Sequence, residues 1–230
     1  MIRALTMILA LLPVVVYGDI VAARYTGETT RYMHGVFGRD FEYSTLEITH
    51  ADGSVARIIL PKNRVFEDIA PRLADMNGDS LAEVIVVETD VDLGAQLAIY
   101  TSDGKLAATP FIGRTHRWLA PVGIADFDGD GVLDVAYVET PHLGKILQFW
   151  SLKGTALHQI GEATGLSNHR FGMGEISGGV RVCNGLAETI TASADWQYIV
   201  ATRLVDGQPE FVTIGPNSGP QAFEDALICR

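Results

Sequence analysis

The 230-residue chain carries 28 Asp and Glu against 17 Lys and Arg, a formal net charge of −11. So acidic a balance argues against nucleic acid or an anionic membrane surface as partner, since both require cationic patches. With 47% hydrophobic residues, the length suits one domain with a sizeable core.

Residues 1–18 read as a secretion signal. Arg3 is the sole charge before Asp19, Ala4 to Tyr17 is nearly all apolar, and Gly18 offers a small residue at a plausible cleavage point with Val16 at minus three. The apolar run falls short of the roughly 20 residues that span a bilayer. Cleavage is therefore expected rather than a retained anchor. The remainder, residues 19–230, is expected as a single exported domain, periplasmic or extracellular, without membrane insertion.

Four segments along that domain read as strand, tight turn, strand. They run from Leu46 to Asp52-Gly53, from Leu97 to Asp103-Gly104, from Leu147 to Lys153-Gly154 and from Val200 to Asp206-Gly207. Asp-Gly favours a two-residue hairpin because both central positions take positive φ. The turn glycines recur every 50 to 53 residues. Approximate repeats at 19–67, 68–115, 116–166 and 167–215 follow, with a tail at 216–230, roughly four short strands per unit and no convincing helix. A period of this size with four strands predicts an all-β fold, a small β-propeller of about four four-stranded blades. An open β-solenoid or a sandwich of hairpins is the alternative.

Two acid loops precede apolar strands. The first is Asp75-Met-Asn77-Gly-Asp79-Ser80-Leu81-Ala-Glu83, leading into Val84–Val87. The second is Asp126-Phe-Asp128-Gly-Asp130-Gly131-Val132-Leu-Asp134, leading into Val135–Val138. Calcium is a hard cation that takes six to eight oxygens, so alternating carboxylates in a flexible turn suit it. In the second loop Asp126, Asp128, Asp130 and Asp134 are the expected side-chain ligands, with the Val132 carbonyl. In the first they are Asp75, Asn77, Asp79 and Glu83, with the Leu81 carbonyl. That site should be weaker, because Asn77 is neutral and Ser80 replaces a glycine. The alternative for both is a metal-free Asx-turn loop. The fourth unit aligns Val180, Val182, Asn184 and Glu188 with these ligands and has lost the site.

The second loop, preceded by Ile124-Ala125 and followed by a hydrophobic strand, resembles the FG-GAP or VCBS repeat of integrin α propellers and of many exported bacterial proteins. Phe171-Gly172 and Leu119-Ala120-Pro121 fit its loosely defined flanks. The resemblance is good over 69–165, weaker over 166–215, and rests on the hairpin alone over 19–68. It implies that calcium is structural, stiffening a turn between strands of one blade.

Other chemistry is sparse. No nucleophile elbow, zinc helix, phosphate loop or paired-cysteine zinc site occurs, and no catalytic residue is assigned. His116-Arg117-Trp118 recurs as His169-Arg170-Phe171. These are expected as repeat residues, with the two aromatics packing between blades, rather than as a ligand edge. Glu88 and Glu139 follow their loops at matched positions and could pair in glycan cleavage, yet repetition alone accounts for them. Trp118, Trp150 and Trp196 are expected in the core. Cys183 and Cys229 are the two cysteines. In an oxidising compartment they should form a disulfide pinning the tail to the last repeat, worth about 4 kcal/mol; two buried thiols are the alternative. The functional expectation is a non-catalytic binding or scaffolding module for a protein or glycan. A glycan hydrolase or lyase, or a subunit of a larger envelope assembly, stands beside it.

Overall fold

A computed structural model describes residues 19–229; the expected signal at 1–18 lies outside them. The chain folds into antiparallel strands arranged in three sheets. The first contains β1 (Ile20–Thr29), β2 (Glu42–His50), β3 (Val55–Ile59), β4 (Arg64–Phe66), β5 (Arg72–Ala74), β6 (Glu83–Asp90), β7 (Gly94–Thr101) and β8 (Gly104–Ala108). The second is the meander β9 (Leu119–Ala125), β10 (Asp134–Glu139), β11 (Ile146–Lys153) and β12 (Ala156–Thr164). The third contains β13 (Leu166–Ser167), β14 (Gly179–Cys183), β15 (Leu186–Ser193), β16 (Tyr198–Val205) and β17 (Gln208–Pro216).

The sheets hold eight, four and five strands, where the repeat period predicts units of about four. The reason lies in two short strands. β4 bonds to β2 at Tyr43–Phe66 and to the far half of β6 from Arg64–Asp90 to Phe66–Glu88, so the first two units share one sheet. β5 takes the near half of β6. β13 and β14 divide β15 in the same way. In the second sheet a single bulged strand, β9, spans the whole of β10.

All four sequence-predicted hairpins form, joining β2 to β3, β7 to β8, β11 to β12 and β16 to β17. Their turns differ from the expectation. Asp206 and Gly207 both have positive φ, 51° and 72°, but at the other three turns only the glycine does. At Asp52-Gly53 the Gly53 N–H donates to the His50 carbonyl and the His50 N–H to the Ser54 carbonyl. This is a longer turn closed by a left-handed glycine rather than a two-residue one.

Strands β6 and β7 are buried along almost their whole length, as their continuous apolar runs dictate. Apolar clusters then join successive units. Leu46, Ile48, Val84 and Val86 bind the first to the second; Ile85, Leu97, Trp118 and Tyr137 bind the second to the third. Val122, Phe149, Ala187 and Val200 bind the third to the fourth. The fourth unit's remaining apolar face, Ile190, Ala192, Ile199 and Ala201, is covered by a helix, α1 (Pro220–Leu227), through Phe223 and Ala226.

That helix corrects the expectation of an all-strand domain. Pro220 begins it after Gly219, and the spacing of Phe223, Ala226 and Leu227 puts them on one face. Eight residues are too few for independent stability, so packing and a disulfide hold it. Cys183 on β14 is bonded to Cys229, with Cα atoms 5.7 Å apart, as the sequence predicts.

The first and last units meet through loops. The Gly172 N–H donates to the Val36 carbonyl at 3.0 Å, and Phe37 packs edge-on against His169 at 5.4 Å.

Candidate metal loop and a histidine cluster at the opposite strand ends

The two acid loops, joining β5 to β6 and β9 to β10, share one hydrogen-bond frame. In the second, Asp126 accepts the Gly129 and Gly131 N–H groups on its two oxygens, at 2.7 and 3.0 Å. Asp128 accepts from Asp130 N–H, and Asp130 from Val132 N–H. The Phe127 N–H donates to Asp134 Oδ2 at 3.0 Å. In the first, Asp75 accepts from Gly78 and Ser80, Asn77 from Asp79, Asp79 from Leu81, and Glu83 from Met76. Position for position these donors and acceptors match, and the first loop adds a bond from the Asp79 N–H to Asp75 Oδ1 at 3.1 Å.

What differs is the space they enclose. Ligand oxygens of Asp126, Asp128 and Asp130 lie within 4.8 Å of one another, the one such group of acids, histidines or cysteines among the described residues. Asp134, the fourth expected side-chain ligand, lies outside this group; it is wholly buried, and its Oδ1 makes no hydrogen bond, although the Ser151 hydroxyl is close enough to lower its pKa in part. Burial first, then the neighbouring Asp128 and Asp130, push its pKa up to about 6. An anionic oxygen set with an orphaned buried carboxylate oxygen fits a hard cation, which would supply the missing partner. Gly129 and Gly131, at φ of 79° and 89°, provide the left-handed turns that a Cβ disfavours.

In the first loop the Asn77 amide takes the centre. Its Nδ2 donates to Asp79 Oδ2 at 3.1 Å and to Glu83 Oε1 at 2.9 Å. Asp75, Asp79 and Glu83 do not form such a group. Ser80 stands at φ 70°, where the second loop has Gly131, a conformation costing about 1–2 kcal/mol without glycine. Burial raises the Glu83 pKa, with Asp79 and Asp75 adding to it. In the fourth unit the loop is replaced by a tight turn at Asn184-Gly185, both at positive φ. Val180 and Val182 lie on β14, and Glu188 pairs with Arg181 at 2.7 Å.

The sequence-matched glutamates are tied into ion pairs and hydrogen bonds. Glu88 is buried against Arg64, Lys105 and the Tyr100 hydroxyl. Glu139 accepts from Gln148, and burial raises its pKa. They form no acid and base pair.

At the other end of the strands lies a feature of which the sequence showed only the His116 and His169 pair, there read as repeat residues. His34 from the β1–β2 loop, His116 from the β8–β9 loop, His142 from the β10–β11 turn and His169 from the β13–β14 loop gather around Trp118. His34 Nδ1 lies 2.6 Å from Glu67 Oε1, and Glu67 Oε2 accepts from the Thr89 hydroxyl. His142 Nε2 lies 2.9 Å from His169 Nδ1, and His169 Nε2 lies 3.0 Å from the Met173 carbonyl. Burial, then His169, His34 and Lys145, lowers the His142 pKa to about 4; burial also lowers that of His169. Both imidazoles are therefore neutral at pH 7.

The surrounding structure fixes these loops. Gly94, at φ 77°, passes so close to the β8–β9 connection that a Cβ would fall 2.3 Å from the Arg114 carbonyl oxygen. The Ala95 N–H donates to the Arg117 carbonyl, and Trp118 Nε1 donates to the Glu67 carbonyl at 2.8 Å. Trp118 is 2% exposed, as expected of a residue packed between units, but Phe171 is 63% exposed and does not share that role. Its ring reaches His142 and His34 instead. Trp150 and Trp196 are only partly buried; the Arg170 guanidinium stacks over Trp196 at 4.6 Å. The repeat pairs only His116 with His169; His34 and His142 have no counterpart in that pattern, so spacing alone could not bring the four together.

No helix among the described residues is long and apolar enough to cross a membrane. No curated protein matches the chain. Residues 75–137, from the first aspartate of one acid loop to Tyr137 on β10, match the family model of the FG-GAP-like repeat, so the segment that carries both loops is similar to that repeat.

Proposed function

We propose that this chain is an exported, calcium-braced β-propeller of about four blades, acting as a non-catalytic binding or scaffolding module for a protein or glycan at the cell surface or in the periplasm. The observation that carries the reading is the Asp126–Asp128–Asp130 oxygen group, with the buried Asp134, whose Oδ1 makes no hydrogen bond, following in the same loop. A cation there ties β9 to β10 inside one sheet, which is a structural task. Asp126, Asp128, Asp130 and Asp134 with the Val132 carbonyl would hold the first ion. Asp75, Asn77, Asp79 and Glu83 with the Leu81 carbonyl would hold a second, weaker one. Face-to-face packing of successive units and the loop contact between first and last support the propeller arrangement.

Calcium should raise the melting temperature without creating any turnover of a glycan panel. Identical thermal scans in excess calcium and in chelator would remove the metal. Glycan turnover would favour the second reading, a hydrolase or lyase. One observation favours that alternative: four histidines and Glu67 converge away from the acid loops.

A further inference from the structure

We propose that His34, His116 and His142 form a second metal site, for a borderline transition-metal cation of the Zn²⁺ class, chemically distinct from the acid loops. The hydrogen bonds determine which ring nitrogens carry protons. The Met173 carbonyl only accepts, so His169 Nε2 bears hydrogen. Neutral His169 then accepts at Nδ1, and His142 Nε2 must be the donor. His142 Nδ1 is left with an open lone pair. The Glu67 carboxylate likewise engages His34 Nδ1, which leaves Nε2 as the ring nitrogen available to a cation. An imidazole oriented by a carboxylate or carbonyl through its other nitrogen is the usual arrangement of a metal-ligating histidine.

The three residues border one small cavity of about 20 Å³, together with Arg117, Trp118, Thr140, Pro141 and Leu143. That volume holds one water-sized occupant. Two of its walls are backbone positions of unusual conformation: His116 at φ 53° and Thr140 at φ 44°. Strain at non-glycine residues persists where the surroundings over-determine it, and such places cluster at ligand sites. His116 donates its backbone N–H to the Tyr32 hydroxyl at 2.7 Å, and its ring lies 5.0 Å from that of His34. The ligand nitrogens stand wider than those of a filled site, since the aspartate group is the one already within 4.8 Å. The imidazoles must therefore swing inward on binding. His116, whose ring makes no hydrogen bond among the described residues, has the least to break.

Imidazole nitrogen selects borderline cations, whereas carboxylate and carbonyl oxygen select calcium. The test uses the full chain in excess calcium, which keeps the acid loops out of the reading. Titration with Co²⁺, followed by its visible absorption, and with Zn²⁺, followed by calorimetry, should give one site of micromolar order or tighter. His34→Gln and His142→Gln should each weaken it at least tenfold, and Glu67→Gln about 10- to 100-fold. His158→Gln, on exposed β12, should change nothing. Circular dichroism and melting in calcium establish that each variant folds, and His116→Gln provides a third probe if one does not. Absence of binding at tens of micromolar overturns the proposal. So does binding that survives both His34→Gln and His142→Gln, or that disappears only with Asp126→Asn.

Discussion

Asn77 and Asp128 occupy the same position in two loops that share one frame of backbone donors, and only Asn77 can donate from its side chain. Its amide bridges Asp79 and Glu83, whereas Asp128 meets its acidic neighbours with a like charge. One loop is internally satisfied and the other awaits a cation.

Exchange of the two side chains should exchange the behaviours. In chelator, Asn77→Asp should destabilise the protein by about 1–3 kcal/mol, because it replaces two donated hydrogen bonds with repulsion. In calcium it should recover that loss and tighten the first loop. Melting curves in both conditions, with calcium titrated calorimetrically, check both halves.

Asp126→Asn and Asp128→Asn should abolish most of the calcium-dependent rise in melting temperature. A ligand at about 100 times its dissociation constant stabilises by about 2.7 kcal/mol, which is a shift of about 5–10 °C for a chain of this size. A wild-type shift that persists undiminished in both variants would exclude the second loop as the site.

Asp134 gives a pH signature with a definite sign. Its folded-state pKa, about 6, is raised above the ordinary 3.8, so the metal-free folded protein holds this proton more tightly than the unfolded chain. The resulting penalty is fully present above pH 6 and disappears as pH falls through the ordinary value. In chelator, Asp134→Asn should therefore be as stable as wild type or more so at pH 7, with the difference shrinking towards pH 5. In calcium at pH 7 the order should reverse. Neutral His142 opposes acid stability in both proteins equally, so the comparison isolates Asp134.

Trp118 and Phe171 should respond oppositely to truncation although the sequence pairs them. Trp118→Ala removes a buried ring and its bond to the Glu67 carbonyl, at a cost of about 3–5 kcal/mol. Phe171→Ala should change stability by about 0.5 kcal/mol or less, as an exposed side chain does. Denaturant midpoints measure both.

Much of the strand plan was legible because hydrophobic alternation and turn glycines are local signals. The four hairpins, both acid loops and the Cys183–Cys229 bridge all follow from residues close together or from compartment chemistry. What escaped was non-local. β4 merges two units into one sheet through three pairings with β6 that no pattern in Arg64–Phe66 announces. The short α1 was hidden because its eight residues become helical only against Ile190 and Ile199. The histidine cluster depends on four separate loops meeting, and Phe171 looked like Trp118 only in the alignment of repeats. The turn at Asp52 also shows the limit of a dipeptide rule: the glycine sets the conformation, while the aspartate need not share it.

The C-terminal helix takes the place of a neighbouring unit on the sheet face of the fourth unit. Each earlier unit offers its apolar face to the next one, but the face of the fourth is occupied by Phe223 and Ala226, held in place by the bond between Cys183 and Cys229. A further unit could be added there only by evicting the helix. The bond between Cys183 and Cys229 thus does more than fasten a tail: it keeps an apolar sheet face covered.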